Sequence, residues 1–287
     1  NGMNYDLEMM KYSKTLKLKS RDTNVGIEHK KNKEAVLMGQ KIILNEYGFR
    51  NETPVSNDKK KILMLGDSMT FGWGSKETFS SLLENKFGVN YQVLNAGIGN
   101  TNTIMQINNF FINYKEISPE VIVLNFYIND LEKINVKESN FIVKNLYLYT
   151  FISSKFYKIR MKFQNKPDWQ KFYSKNFEDQ FIFEQTKNEI SKLDDYCKKN
   201  NIKFIIHNIP ELRDLKNYQF EKETSLIKEY AIKNNIIFLD SFENLKNYDE
   251  KSLWVTFEDS HANDKAHSII AEYLYENFRS QNLIELN

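Results

Sequence analysis

Four short segments of this chain carry side chains suited to nucleophilic chemistry. The first is Gly66-Asp67-Ser68, which ends the apolar run Ile62-Leu63-Met64-Leu65. A serine hydroxyl is inert at neutral pH unless a base stands beside it, so Ser68 is a candidate nucleophile only if partners exist. The chain has four histidines, His29, His207, His261 and His267, so a base has few sources. His261 lies in Phe257-Glu258-Asp259-Ser260-His261-Ala262-Asn263, directly after two acids. His207 follows the apolar Phe204-Ile205-Ile206 and is its rival on position. Asn95-Ala96-Gly97-Ile98-Gly99-Asn100 and Ile128-Asn129-Asp130 add small and amide residues. Acyl transfer needs such a set: a nucleophile, a base, an orienting carboxylate, and donors aimed at a developing oxyanion.

The elements that would position these residues can be read from the apolar runs. Ile62 to Leu65, bounded by lysines and a glycine, fits a buried strand of a parallel sheet, with Gly66 permitting a sharp exit. Tyr91 to Asn95 and Val121 to Tyr127 are two more such strands, each running into small or amide residues. In open α/β sheets the carboxyl edge of the strands is where ligands bind. Beyond residue 177 the sequence predicts a long helix near 178–200, a strand at Ile202 to His207, a helix near 218–234, a strand at Ile236 to Asp240, and a final helix from Asp264 to Phe278. Alternation of this kind argues for a parallel sheet covered on both faces.

At these residues the chain resembles the SGNH, or GDSL, hydrolase family. Gly66-Asp67-Ser68 is similar to its first block, Asn95 to Asn100 to the second, Ile128-Asn129-Asp130 to the third, and Asp259-Ser260-His261 to the last. Order and spacing agree along about residues 60 to 280. Met38-Gly39 and Asn45-Glu46-Tyr47-Gly48-Phe49-Arg50 resemble the lead-in of a bacterial subgroup that is often exported or membrane-anchored, with some members linked to polysaccharide genes. The resemblance implies a three-layer α/β/α sandwich with a flavodoxin-like parallel sheet. It implies Ser68 as nucleophile, His261 as base, and an acid just before His261 to orient the ring. The oxyanion donors it implies are the backbone N–H of Ser68, a backbone N–H in the second block, and the side-chain amide of Asn129.

Departures from the family pattern leave two positions open. The family usually sets its acid three residues before the histidine, which is Glu258 here. The subgroup's Asp-x-His spacing favours Asp259. The second-block glycine aligns with Asn100, with Gly99 just before it. Asn tolerates unusual backbone regions, so Asn100 is the expected donor and Gly99 the alternative. Tyr127 stands where the family often has glycine, which would narrow the cleft near Asn129. Asp67 is expected to bond loop amides behind Ser68, and Asp130 to cap the next element.

Bulk properties bound the reading. A chain of 287 residues can bury one large core. Its net charge of +2 implies no strong electrostatic partner, and its short lysine runs read as solvated faces, so no nucleic acid is expected. One cysteine, Cys197, excludes an internal disulfide. Asp259, His261, Asp264 and His267 are loosely grouped but hold no tight histidine pair, so neither metal nor cofactor is expected. No apolar run approaches membrane-spanning length, and a membrane partner would come only through a lost N-terminal anchor. The subgroup favours a periplasmic or membrane-associated location. Residues 1–58 read as an extension that packs on a catalytic domain at 59–287. An aromatic-rich insertion is expected at about 131–177, as a packing layer or as a wall over the site.

The expected function is a serine esterase acting through an acyl-Ser68 intermediate, on acetyl or other short acyl esters of a carbohydrate. An O-acetyltransferase moving the acyl group to a glycan hydroxyl shares the same motifs. A glycan-binding module with a decayed site is the alternative outside enzymology.

Overall fold

The computed structural model describes residues 5–134 and 169–285. Its centre is a five-stranded sheet of β5 (Lys60–Gly66), β6 (Tyr91–Gly97), β7 (Val121–Phe126), β8 (Lys203–Asn208) and β9 (Ile237–Asp240). All four pairings are parallel, and the spatial order is β6-β5-β7-β8-β9. This is the flavodoxin-like order, in which the chain reverses direction across the sheet between its first and third strands. Every residue of β6 and β7 is buried, as a parallel sheet covered on both faces requires. Helices α3 (Phe79–Phe87) and α9 (Asp264–Ser280) pack together, as do α4 (Thr103–Asn109) and α6 (Gln180–Lys199). Ile62, Leu63, Val93, Ile122, Val123, Ile205 and Ile206 fill the core between the layers. Each such side chain contributes about 1.5–3 kcal/mol by leaving water.

The long helix expected near 178–200 is α6, and a further helix, α5 (Trp169–Glu178), precedes it. Asp179 separates them. Its carboxylate accepts the N–H groups of Phe181 and Ile182 and so caps the second helix instead of continuing the first. Most of the aromatic insertion, residues 135–168 with Phe141, Tyr147, Tyr149, Phe151, Phe156, Tyr157 and Phe163, lies outside the described residues.

The N-terminal stretch, which showed no strand–helix rhythm, has a defined structure. Helix α1 (Tyr5–Thr15) precedes two antiparallel pairs, β1 (Lys17–Lys19) with β2 (Ile27–His29) and β3 (Lys33–Leu37) with β4 (Gln40–Leu44). Strands of three to five residues are too short to print a period on the sequence. Tyr12, Leu16, Leu37, Ile42 and Leu44 form a second apolar cluster with Phe71 and Trp73. That cluster ties the extension to the turn after Ser68.

Arg50 strengthens the tie. Its guanidinium donates to the carbonyls of Phe71 (2.8 Å), Gly72 (2.5 Å), Ser75 (2.6 Å) and Lys76 (3.3 Å). Planar, forked donors suit such a ring of carbonyls.

Candidate active site

The first strand of the sheet delivers Ser68. β5 stops at Gly66, Asp67 caps, and Ser68 opens the four-residue helix α2 (Ser68–Phe71). Asp67 accepts the Met69 N–H at 2.8 Å. Gly66 is needed for room and not for an unusual φ: a Cβ there would meet Thr70 Oγ1 at 2.0 Å. Its register partner Gly97 faces the same helix, where a Cβ would lie 2.3 Å from the Phe71 nitrogen. The pair lets α2 sit directly on the strand ends.

Segment 257–263, which the sequence presented as a loop, contains a strand. β11 (Asp259–Ala262) pairs antiparallel with β10 (Trp254–Thr256). Side chains two apart on a strand point to the same side. Asp259 and His261 therefore share a side, while Glu258 lies in the turn before the strand. His261 Nδ1 lies 2.5 Å from Asp259 Oδ1, and His261 Nε2 lies 2.9 Å from Ser68 Oγ. The carboxylate only accepts, so Nδ1 carries the proton and Nε2 accepts from the serine hydroxyl, a tautomer assigned from the network.

Asp259 is 6% exposed. Its carboxylate also accepts the His261 backbone N–H at 3.1 Å and the Trp73 indole N–H at 3.0 Å. Burial pushes its pKa up, but the His261 contacts and the Trp73 bond outweigh this and hold it below the ordinary carboxylate value. Trp73 as a support for the acid was not foreseen, because it stands 186 residues away in sequence. Glu258 is exposed on the rim of the cleft.

The other loops converge on the same point. Asn129 follows β7, and its side-chain amide donates to Asp67 Oδ2 at 3.1 Å. Asp67 thus orients the amide of Asn129, a residue that lines the cleft. Asp130 accepts the Tyr127 N–H at 2.8 Å and so caps the turn after β7. Asn100 is exposed beside Ser68 with φ +62°, the left-handed conformation that Asn tolerates. Gly99 is not available as the second-block donor, since its N–H is given to the Tyr12 hydroxyl at 3.1 Å.

His207 does not join the site. It is fully buried between β7 and β9 neighbours, donating from Nδ1 to Asn125 Oδ1 (2.8 Å) and accepting at Nε2 from the Ser241 hydroxyl (2.7 Å). Burial lowers its pKa to about 3, so it stays neutral. His267 is also buried and accepts the Phe79 N–H. Cys197 is buried in α6, far from the cleft lining.

The cleft measures about 300 Å³ and is lined by Ser68, His261, Asn100, Asn129, Tyr5, Tyr127 and Arg213 among others. The Tyr5 ring stacks beside His261 at 6.4 Å. Tyr127 lines the cleft, and its hydroxyl donates to the buried Glu211 at 3.3 Å. Arg213 pairs with that carboxylate at 2.6 Å. Tyr5, Glu211 and Arg213 carried no signal in sequence, because no motif surrounds them. Among the described residues no group of three or more His, Cys, Asp or Glu side chains could hold a metal ion. Among them, too, no helix is long and apolar enough to cross a membrane.

Comparison with solved structures bears on the fold. TesA matches with a TM-score of 0.52 at 12% identity, over 78% of this chain and 100% of that chain. The chain has the SGNH, or GDSL, hydrolase fold. A catalytic mutant of Axe2, an acetylxylan esterase from Geobacillus stearothermophilus, gives 0.49 at 14% identity, over 77% of this chain and 95% of that one. A GDSL-like lipase from Bacteroides thetaiotaomicron gives 0.45 at 16%, over 80% and 93%. No family model matches the sequence, and no curated protein matches it. Within the SGNH fold, Ser68 and Asn129 stand at the carboxyl ends of β5 and β7, the two strands that flank the topological switch point.

Proposed function

We propose that the protein is a serine esterase that cleaves short acyl esters through an acyl-Ser68 intermediate. The hydrogen-bonded chain from Asp259 through His261 to Ser68 carries this reading. Ser68 Oγ attacks the ester carbonyl while His261 Nε2 takes its proton. The tetrahedral oxyanion is held by the Ser68 and Asn100 backbone N–H groups and the Asn129 amide. As the intermediate collapses, the C–O bond to the alcohol breaks and His261 returns the proton to that oxygen. Water then repeats the sequence on the acyl-enzyme, releasing the acid and restoring Ser68. Asp259 stays ionised and stabilises the imidazolium.

The cleft of about 300 Å³, lined in part by Tyr127, suits an acetyl or similarly short acyl group. Its polar rim and the Tyr5 ring favour a hydroxylated, carbohydrate-like alcohol portion. Release of p-nitrophenol from p-nitrophenyl acetate, compared between the wild type and Ser68→Ala, tests the reaction. Ser68-dependent release is expected. Equal rates in the two proteins would overturn the assignment, and acetylated product formed on an added glycan would make the acceptor a sugar hydroxyl in place of water.

A further inference from the structure

Lys17 is an unusual residue to find inside a protein. It is 8% exposed, its Nζ lies 2.5 Å from the Gly99 carbonyl oxygen, and it sits 4.2 Å over the Tyr12 ring. Among the described residues no carboxylate pairs with it. Burying a cation without an anion is costly, so a side chain of this kind usually serves something beyond packing. Burial lowers its pKa to about 7.

What Lys17 holds is one end of a particular peptide unit. The Gly99 carbonyl and the Asn100 N–H belong to the same planar trans amide and point in opposite directions. A donor fixed on the carbonyl therefore fixes the direction of the N–H of Asn100, a residue that lines the cleft together with Ser68. A cation on the carbonyl oxygen also draws electron density from the amide nitrogen, which makes the N–H a stronger donor, more so in a poorly solvated setting. We infer that the Lys17 ammonium orients and polarises the Gly99–Asn100 peptide, and so sets the strength of the Asn100 N–H as an oxyanion donor. The inference rests on the esterase reading of the site.

The rest of the grip comes from the same segment. The preceding N–H, that of Gly99, goes to the Tyr12 hydroxyl. That hydroxyl donates to His29 Nε2 at 2.6 Å, and His29 Nδ1 donates to the Gly48 carbonyl at 2.9 Å. Burial keeps His29 neutral, with a pKa lowered to about 3, so its Nε2 remains an acceptor. Lys17 and His29 are direct partners across the β1–β2 ladder. Gly99 packs closely here: a Cβ on it would lie 3.0 Å from the Tyr12 ring and 3.4 Å from Ser68 Cβ. Lys17 acts through the peptide and touches no reacting atom, so it is a positioning residue.

The test uses the full chain and p-nitrophenyl acetate, with Lys17→Met and Lys17→Gln measured beside Ser68→Ala. Met keeps the length and removes both donor and charge. Gln keeps an N–H donor without the charge. With the fold verified by circular dichroism, Lys17→Met should lower kcat about 10- to 100-fold, less than or near the loss of a whole oxyanion donor, with KM within about twofold. Lys17→Gln should fall between Met and the wild type. Inhibition by a boronic acid, whose Ser68 adduct places an anionic oxygen in the hole, should weaken in parallel with kcat/KM. Wild-type kcat in either folded variant would overturn the inference while leaving the esterase reading intact. Should Lys17→Met fail to fold, Lys17→Gln and the boronic acid series decide alone. Turnover that does not need Ser68 would instead overturn the esterase reading itself.

Discussion

The choice between two neighbouring acids turns on strand geometry. Glu258 and Asp259 are neighbours, yet only Asp259 belongs to β11, where it stands two residues from His261 on the same side and meets its ring, while Glu258 lies in the preceding turn. Asp259→Asn should reduce turnover of p-nitrophenyl acetate by about 10⁴-fold, since an amide favours the wrong imidazole tautomer. Glu258→Gln should change it less than about threefold, and steady-state rates on the two variants separate the cases. Asn129→Ala should cost about 10² to 10³ in kcat with little change in KM, because its amide acts where charge develops. These positions were visible in the sequence as blocks. The acid was open because the family's usual spacing points to Glu258 and the subgroup's to Asp259, and the structure sets Asp259 against the His261 ring. Trp73, Tyr12 and Lys17 were invisible for a different reason: each acts through space on a residue 82 or more positions away, or through a partner that is.

Single elements depend on residues outside them in the same way. Helix α2 has four residues, too few to hold itself, and its C-terminal carbonyls are bonded by Arg50. Arg50→Met should lower unfolding free energy by about 2–4 kcal/mol, since several buried carbonyls lose their donor. Denaturant titration measures the change, and a midpoint equal to the wild type would show that water replaces the guanidinium. The buried strands were legible because four or more consecutive apolar residues have few other uses. β1 to β4 were not, since three to five residues half exposed to solvent leave no periodic trace. The break at Asp179 was readable in principle as an acidic N-cap.

Across the molecule, buried neutral histidines make stability depend on pH. His207 has a folded pKa of about 3 against an ordinary value of 6.5. Its contribution is full above pH 6.5 and is lost as pH falls from there toward 3, because the unfolded chain binds the proton first. The stability gap between wild type and His207→Gln should therefore narrow by about 2 kcal/mol from pH 7 to pH 5, at about 1.4 kcal/mol per pH unit below 6.5. Parallel denaturant curves at the two pH values check this, and a constant gap would mean His207 is charged when folded. The contact between Ser68 and His261 has a consequence in time as well. It spans 193 residues, and the strands of the central sheet between them pair only in parallel. Non-local closure of this kind is slow, and each parallel crossover adds to it. On refolding, hydrolytic activity should return after helical ellipticity, which makes the first turnover a clock for the last contact the chain forms.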